Sequence, residues 1–118
     1  MKKISLGIPF YNSSKYFLDC IKYSIDDDFI GEIIVNDDNS TSEEWENLNG
    51  IISNLDSSKI KVYKNEKNLG GFKNKFMTIS KCSLEWVYLI DSDNSVCEDT
   101  LTTIEEKIDW DNNTCYCP

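Results

Sequence analysis

Four short apolar runs, each separated from the next by a stretch in which apolar residues recur every three or four positions, constrain this chain more than any other feature. The runs cover residues 4–8, 32–35, 60–63 and 86–90. They have strand length and are rich in β-branched and aromatic residues. The stretches between them carry helical spacing: Phe17, Ile21 and Ile25, then Trp45, Leu48, Ile52 and Leu55, then Phe72, Phe76 and Ile79 on one face. Strands that alternate with helices pair in parallel, because each right-handed crossover returns the chain to the same end of the sheet. The order βαβαβαβ therefore predicts an α/β three-layer sandwich with a mostly parallel central sheet. A fourth helix, starting at Ser95-x-x-Glu98 with Leu101, Ile104 and Ile108 as its stripe, and a fifth strand over residues 114–117 extend this to βαβαβαβαβ.

Local chemistry sets the expected boundaries. Pro9 cannot donate to a ladder and is expected to end the first strand. Ser13 or Ser14 can cap the first helix, and Ser40 with Glu43 and Thr41 with Glu44 read as overlapping capping boxes for the second. Asp26, Asp27 and Asp28 follow a helix C-terminus, where negative charge is unfavourable, and read as a solvated loop. The lysines in 60–63 place that strand nearer a sheet edge, whereas the dense apolar run 86–90 reads as a buried central strand.

One domain is expected from 118 residues. The net charge of −9, from 21 acids and 12 bases, argues against nucleic acid or anionic lipid as the main partner. The absence of histidine removes Ser-His-Asp and Cys-His catalysis and every histidine-containing zinc site. Cys20, Cys82, Cys97, Cys115 and Cys117 are odd in number and lack framework spacing, which suits reduced thiols in the cytoplasm. No apolar stretch has membrane-spanning length, so the expected protein is soluble or at most peripheral to a membrane.

The acids are concentrated where strands end. Asp37 and Asp38 follow the second strand, and Asp91 and Asp93 follow the fourth. In open parallel sheets ligands bind outside the carboxyl ends of the strands, and a strand order of 3-2-1-4 gathers these four acids on one rim. Asp91-x-Asp93 offers hard oxygen ligands for Mg²⁺ or Mn²⁺, which often also bind substrate phosphates. The same residues equally suit a plain polar turn. Residues 65–71 contain two glycines that let the backbone approach a ligand, followed by Lys73 and Lys75 in a helical first turn. Cations there oppose the helix dipole, a small cost at an exposed position that also suits an anion.

Four motifs now stand in order: Ile8-Pro9-Phe10-Tyr11-Asn12, Ile34-Val35-Asn36-Asp37-Asp38-Asn39-Ser40-Thr41, Asn68-Leu69-Gly70-Gly71 and Leu89-Ile90-Asp91-Ser92-Asp93-Asn94. With them the chain resembles the N-terminal, donor-binding half of a family 2 glycosyltransferase of the Rossmann-like GT-A fold, over nearly its whole length. The resemblance implies inverting transfer of a sugar from a nucleotide-diphosphate donor, usually a UDP-sugar, to a hydroxyl or amine of a glycan, lipid or protein acceptor. It implies that Pro9 and Tyr11 line the base pocket and that Asp38 accepts a hydrogen bond from the base. Gly70 and Lys73 are implied beside the donor. Asp91 would face the ribose or a metal-bound water, and Asp93 would bind Mn²⁺ or Mg²⁺.

The chain departs from the family at Asn74-Lys75-Phe76, where a small residue and then Arg-Asn are usual. It offers no residue to nominate as the general base, which the family carries in the second half of its domain. The chain is thus expected to lack the acceptor-binding half. The alternative is a catalytically incomplete nucleotide-sugar-binding module completed by a partner chain or a homodimer. A receiver domain would need its acid pair after the first strand, where Pro-Phe-Tyr-Asn stands.

Overall fold

The structure is a computed structural model and describes residues 2–111 and residue 115 of the 118. Its strands are β1 (Ile4–Phe10), β2 (Ile30–Asp37), β3 (Ile60–Lys64) and β4 (Val87–Leu89). The helices are α1 (Ser14–Ile21), α2 (Ser42–Leu55), α3 (Gly71–Lys81) and α4 (Glu98–Lys107). All pairings are parallel and the order is β3-β2-β1-β4, as the alternation predicts. The fifth strand expected over 114–117 lies outside the described residues, apart from Cys115. No helix among the described residues is long and apolar enough to cross a membrane.

The two faces of the sheet differ in chemistry. On one, Leu6 pairs with Ile33 and Tyr88, Ile8 with Val35, and Val35 with Val62. Phe17 of α1, Leu48 of α2 and Leu101 of α4 join them in one buried core. Because side chains alternate along a strand, the other face carries Ser5, Gly7 and Pro9 from β1 and Glu32, Ile34 and Asn36 from β2.

Helix α3 covers this second face with Asn74 and Thr78, its two buried residues. The apolar stripe Phe72, Phe76 and Ile79 points the other way, to solvent. The helical period is as expected, but polar side chains take the inner face, where Asn74 pairs with the Asn36 amide and Thr78 packs over Gly7. Gly7 sets how close the helix comes: a Cβ there would lie 3.3 Å from both Thr78 Cγ2 and Val87 Cγ1. Gly7→Val is expected to lift α3 and cost about 1–3 kcal/mol, read as a fall of several degrees in thermal midpoint. An unchanged midpoint would show that α3 does not rest on β1 this tightly.

Other boundaries moved for identifiable reasons. Residues 86–90 do not form a buried central strand: β4 is three residues long, half-buried, and has β1 as its pairing neighbour among the described residues. Thr41 caps α2, accepting a hydrogen bond from Glu44 N–H at 3.3 Å. The Glu44 carboxylate does not fold back; it accepts from Ser14 N–H at 2.9 Å and so serves the start of α1. Ser13 sits at the N-cap of α1 without a side-chain cap, and α4 starts after Cys97 rather than Ser95. The aspartates at 26–28 form a loop as expected, in which Asp27 accepts from Phe29 N–H at 2.8 Å.

Candidate functional site

A proline opens the site. The odd residues of β1 turn their backbone toward β4: Ser5 N–H donates to Trp86 C=O at 2.8 Å, and Gly7 C=O accepts from Ile90 N–H at 3.0 Å. Pro9 is next in that series and has no N–H, so the ladder to β4 stops there. Toward β2 the strand continues through Phe10, whose C=O accepts from Asp38 N–H at 2.9 Å. The expected strand end is therefore real on one side only. β1 and β4 part at their carboxyl ends, and a cleft of about 570 Å³ occupies the fork, lined among others by Pro9, Tyr11, Tyr16, Asp38, Gly70, Lys75, Asp91 and Asp93.

The segment after β4 carries two of these acids and is fixed from several sides. Ser92 is buried and its hydroxyl lies 2.5 Å from that of Ser13. Asp91 C=O accepts from Asn94 N–H at 3.0 Å and, more weakly, from the Cys20 thiol at 3.9 Å. Burial, followed by the charges of Asp93 and Asp91, pushes the Cys20 thiol up to about 12, so it stays protonated beneath the acids. Asp91 and Asp93 themselves remain exposed, with Lys75 Nζ 3.6 Å from Asp91 Oδ1.

Asp38 is held differently, being 2% exposed. Its Oδ1 accepts from Leu69 N–H at 2.7 Å and from Asn65 Nδ2 at 2.9 Å, and its Oδ2 from Gly70 N–H at 3.0 Å. The carboxylate therefore fastens the glycine turn, where Gly70 has φ of 89°, a conformation glycine adopts without steric cost. Three of about four lone-pair positions are filled, which leaves one for a ligand.

Behind Asp38 lies a buried amide network. Asn36 Nδ2 donates to Asn74 Oδ1 at 2.8 Å and to Asn65 Oδ1 at 3.0 Å, and Asn74 Nδ2 returns a bond to Asn36 C=O at 3.1 Å. It locks the end of β2, the turn and the start of α3 into one unit.

Of the acids placed on the rim by sequence, Asp38, Asp91 and Asp93 line the cleft and Asp37 does not. Asp37 is fully buried and accepts from the Ser40 hydroxyl at 2.5 Å. Burial raises its carboxyl above the usual range despite the bonds from Ser40 and the charge of Lys64. Ser40 Oγ in turn accepts from Asn12 N–H at 2.9 Å, and Asn12 Oδ1 accepts from Thr41 N–H at 3.1 Å. Asp37 thus braces the loop that carries Tyr11.

Lys73 also falls outside the cleft lining, and Lys75 takes its place. With Asn74 pointing into the sheet, the residues before and after it diverge by roughly 200° around the helix, and only the second side faces the fork. Sequence reasoning missed Ser13, Ser92 and the three buried asparagines. A polar residue inside strand periodicity, Asn36, was the available signal.

Among the described residues no three or more acidic or cysteine side chains converge as a preformed metal cage. Asp91 and Asp93 supply two exposed carboxylates to one cleft. That number fits a hard divalent cation whose remaining ligands are waters and substrate phosphates.

The glycosyl transferase family 2 profile matches residues 5–118. Glycosyltransferase GlyG of Streptococcus pneumoniae serotype 4 is 28% identical over 106 residues, covering 89% of this chain and 35% of that protein. Residues 1–349 of S. aureus TarS, solved with UDP, superpose with a TM-score of 0.69 at 28% identity, covering 88% of this chain and 32% of theirs. The mannosyltransferase PcManGT of Pyrobaculum calidifontis, solved with GDP-Man and Mn²⁺, shares the fold with a TM-score of 0.72 at 16% identity, covering 84% of this chain and 30% of its own. The chain thus spans about a third of the length of these relatives. A parallel sheet forked at Pro9, with acids from β2 and β4 around the opening and a profile match over nearly every residue, makes this chain a member of glycosyl transferase family 2.

Proposed function

We propose that the cleft binds the nucleoside diphosphate of a sugar donor, with UDP favoured, and that the protein carrying this chain transfers the sugar to an acceptor with inversion. The observation that carries this reading is the convergence of Asp38, Asp91, Asp93 and the glycine turn on one fork at the carboxyl ends of a parallel sheet. UDP is favoured because TarS, the 28% identical neighbour, was solved with UDP.

The Tyr11 ring and the Pro9 backbone offer an apolar wall for the base, and the free lone pair of Asp38 accepts from an imide N–H. Gly70 brings its backbone close to the ligand, and Lys75, which lines the cleft where Lys73 does not, places a cation beside the diphosphate. Asp91 would face the ribose or a metal-bound water, and Asp93 would hold Mn²⁺ or Mg²⁺. When bound, the cation supplies charge neutralisation for the departing diphosphate. The residues of this chain orient the donor and keep its base and ribose from solvent. None of the described residues is assigned as the base that deprotonates the acceptor.

Thermal melts with uridine, guanosine or cytidine diphosphate, each with and without Mn²⁺, test the reading. Ligand at about a hundred times its dissociation constant stabilises by roughly 2.7 kcal/mol, a rise of several degrees. UDP with Mn²⁺ is expected to give the largest rise, and Asp93→Asn to remove the Mn²⁺-dependent part while leaving the unliganded midpoint nearly unchanged. No rise with any nucleotide would overturn the donor site, and an undiminished Mn²⁺ effect in Asp93→Asn would overturn the metal assignment.

A further inference from the structure

The two arms of the fork are joined again beyond the point where Pro9 parts them. The ladder bond nearest the opening runs from Ile90 N–H to Gly7 C=O at 3.0 Å. Past it, one arm carries Tyr11, Asn12 and Ser13 into α1, and the other carries Asp91, Ser92 and Asp93 toward α4. Across the gap the Ser13 and Ser92 hydroxyls lie 2.5 Å apart, on residues that are 8% and 6% exposed. Ser13 holds an N-cap position, where a serine hydroxyl ordinarily accepts from a backbone N–H of the first helical turn. Its side chain makes no such cap. Glu44 reaches over from α2 and takes Ser14 N–H at 2.9 Å, which leaves the Ser13 hydroxyl for Ser92. The arm that bears Ser13 is also anchored to the loop after β2: Asn12 N–H donates to Ser40 Oγ at 2.9 Å, and Asn12 Oδ1 accepts from Thr41 N–H at 3.1 Å. On the other arm, Ser92 and Asp93 are the central residues of a turn closed by Asn94 N–H on Asp91 C=O at 3.0 Å. Within that turn Ser92 alone is buried, while Asp91, Asp93 and Asn94 are exposed. The inward side chain therefore sets which way its two acidic neighbours point. The thiol of Cys20, at 3.9 Å from Asp91 C=O, holds the turn far more weakly.

We propose that Ser92, held by Ser13, is a positioning residue: the hydroxyl pair fixes the rotation of the acid turn, so that a divalent cation meets the Asp91 and Asp93 carboxylates already aligned. The inference rests on the reading of the cleft as a metal-dependent donor site. Preorganisation gives the tie its effect. Two carboxylates on an untethered turn must be ordered when the cation binds, and that ordering is subtracted from the affinity, whereas a turn tied beforehand has already met it. The tie also joins the two sides of the site. Ser13 follows directly on the segment that carries Tyr11, so the acids keep register with the wall offered to the base. A hydroxyl pair that served packing alone would contribute to the melting midpoint and leave metal affinity untouched.

Titration of Mn²⁺ into the protein with UDP present, followed by the electron paramagnetic signal of free Mn²⁺, tests it, with melts of the same samples. Ser92→Ala and Ser13→Ala are each expected to weaken Mn²⁺ binding by about three- to tenfold, the equivalent of one hydrogen bond. The stabilisation by UDP measured without metal should stay at the parent's level, and the unliganded midpoint should fall by only a few degrees. The double alanine variant should bind Mn²⁺ no more weakly than either single variant, because the two hydroxyls act as one link. Ser13→Thr, which keeps a hydroxyl, should retain the parent's affinity. Parent-like Mn²⁺ affinity in either alanine variant, losses that add in the double variant, or a Ser13→Thr protein as weak as Ser13→Ala would overturn the proposal. A parent protein that binds no Mn²⁺ alongside UDP would remove the donor reading itself and this inference with it, an outcome told apart because it shows before any substitution is made.

Discussion

Asp38→Ala is expected to lower the thermal midpoint by about 10 °C or more and to abolish nucleotide-dependent stabilisation at the same time. The carboxylate is buried and takes Leu69 N–H, Gly70 N–H and Asn65 Nδ2 as donors. Alanine leaves two backbone donors and an amide without their acceptor, and hydrogen bonds to charged groups contribute roughly 1.5–3 kcal/mol each. The loss falls on the turn that opens α3, so the glycine backbone loses its position in the cleft along with the base-accepting oxygen. Melts with and without UDP and Mn²⁺ read both effects. A variant that loses the ligand response but keeps its midpoint would show that Asp38 does not support the turn. One that loses stability but keeps the response would remove it from base recognition.

The second large effect belongs to the other end of β2 and should touch stability alone. Glu32 accepts from the Ser5 hydroxyl at 2.6 Å, from Ser83 N–H at 2.5 Å and from the Ser83 hydroxyl at 2.9 Å, and Lys61 Nζ lies 3.8 Å away. Burial works to raise its carboxyl, but those hydrogen bonds and the lysine outweigh it and hold the group below the ordinary glutamate range. A carboxyl depressed in the folded state contributes stability that is full above its unfolded value and is lost as pH falls through its folded value. Glu32→Ala is expected to cost about 2–4 kcal/mol at neutral pH, to flatten the acid limb of stability, and to leave the UDP response intact. Asp37 works with the opposite sign: its raised carboxyl disfavours the charged folded form, so its contribution improves as pH falls through its folded value. A Glu32→Ala protein whose acid limb matches the parent would refute the assignment.

The fold was legible because its signals are local and repeated. Strand-length apolar runs alternating with helical spacing admit few topologies, and the 3-2-1-4 order gathers acids that are far apart in sequence. The cleft residues Pro9, Tyr11, Asp38, Gly70, Asp91 and Asp93 were readable for the same reason, since each directly follows a strand or opens a helix. What escaped depends on facts that appear only when elements meet. Periodicity shows that Phe72, Phe76 and Ile79 share a face but not which way it points. That was decided where α3 meets the sheet, by Asn36, whose amide pairs with Asn74, and by Gly7, which lets Thr78 come close. That Lys75 and not Lys73 lines the cleft follows from the phase of the helix, which Asn74 sets. Likewise Glu44 had two donors within reach, Thr41 N–H and Ser14 N–H, and the packing of α1 beside α2 chose the second.

The one-sided strand end at Pro9 also bears on how the chain is made. Ser5 of β1 pairs with Val87, a residue the ribosome adds roughly eighty positions later, which at about 5–20 residues per second is several seconds. Through that interval β1 can already lie beside β2, yet its other edge waits unpaired, with apolar Leu6 and Ile8 close by. On the waiting edge the outward backbone groups belong to Ser5, Gly7 and Pro9. Pro9 breaks that row of donors at its carboxyl end, so the nascent edge is a poor template for a stray strand. The residue that opens the cleft in the finished protein also guards the strand while its partner is still being synthesised.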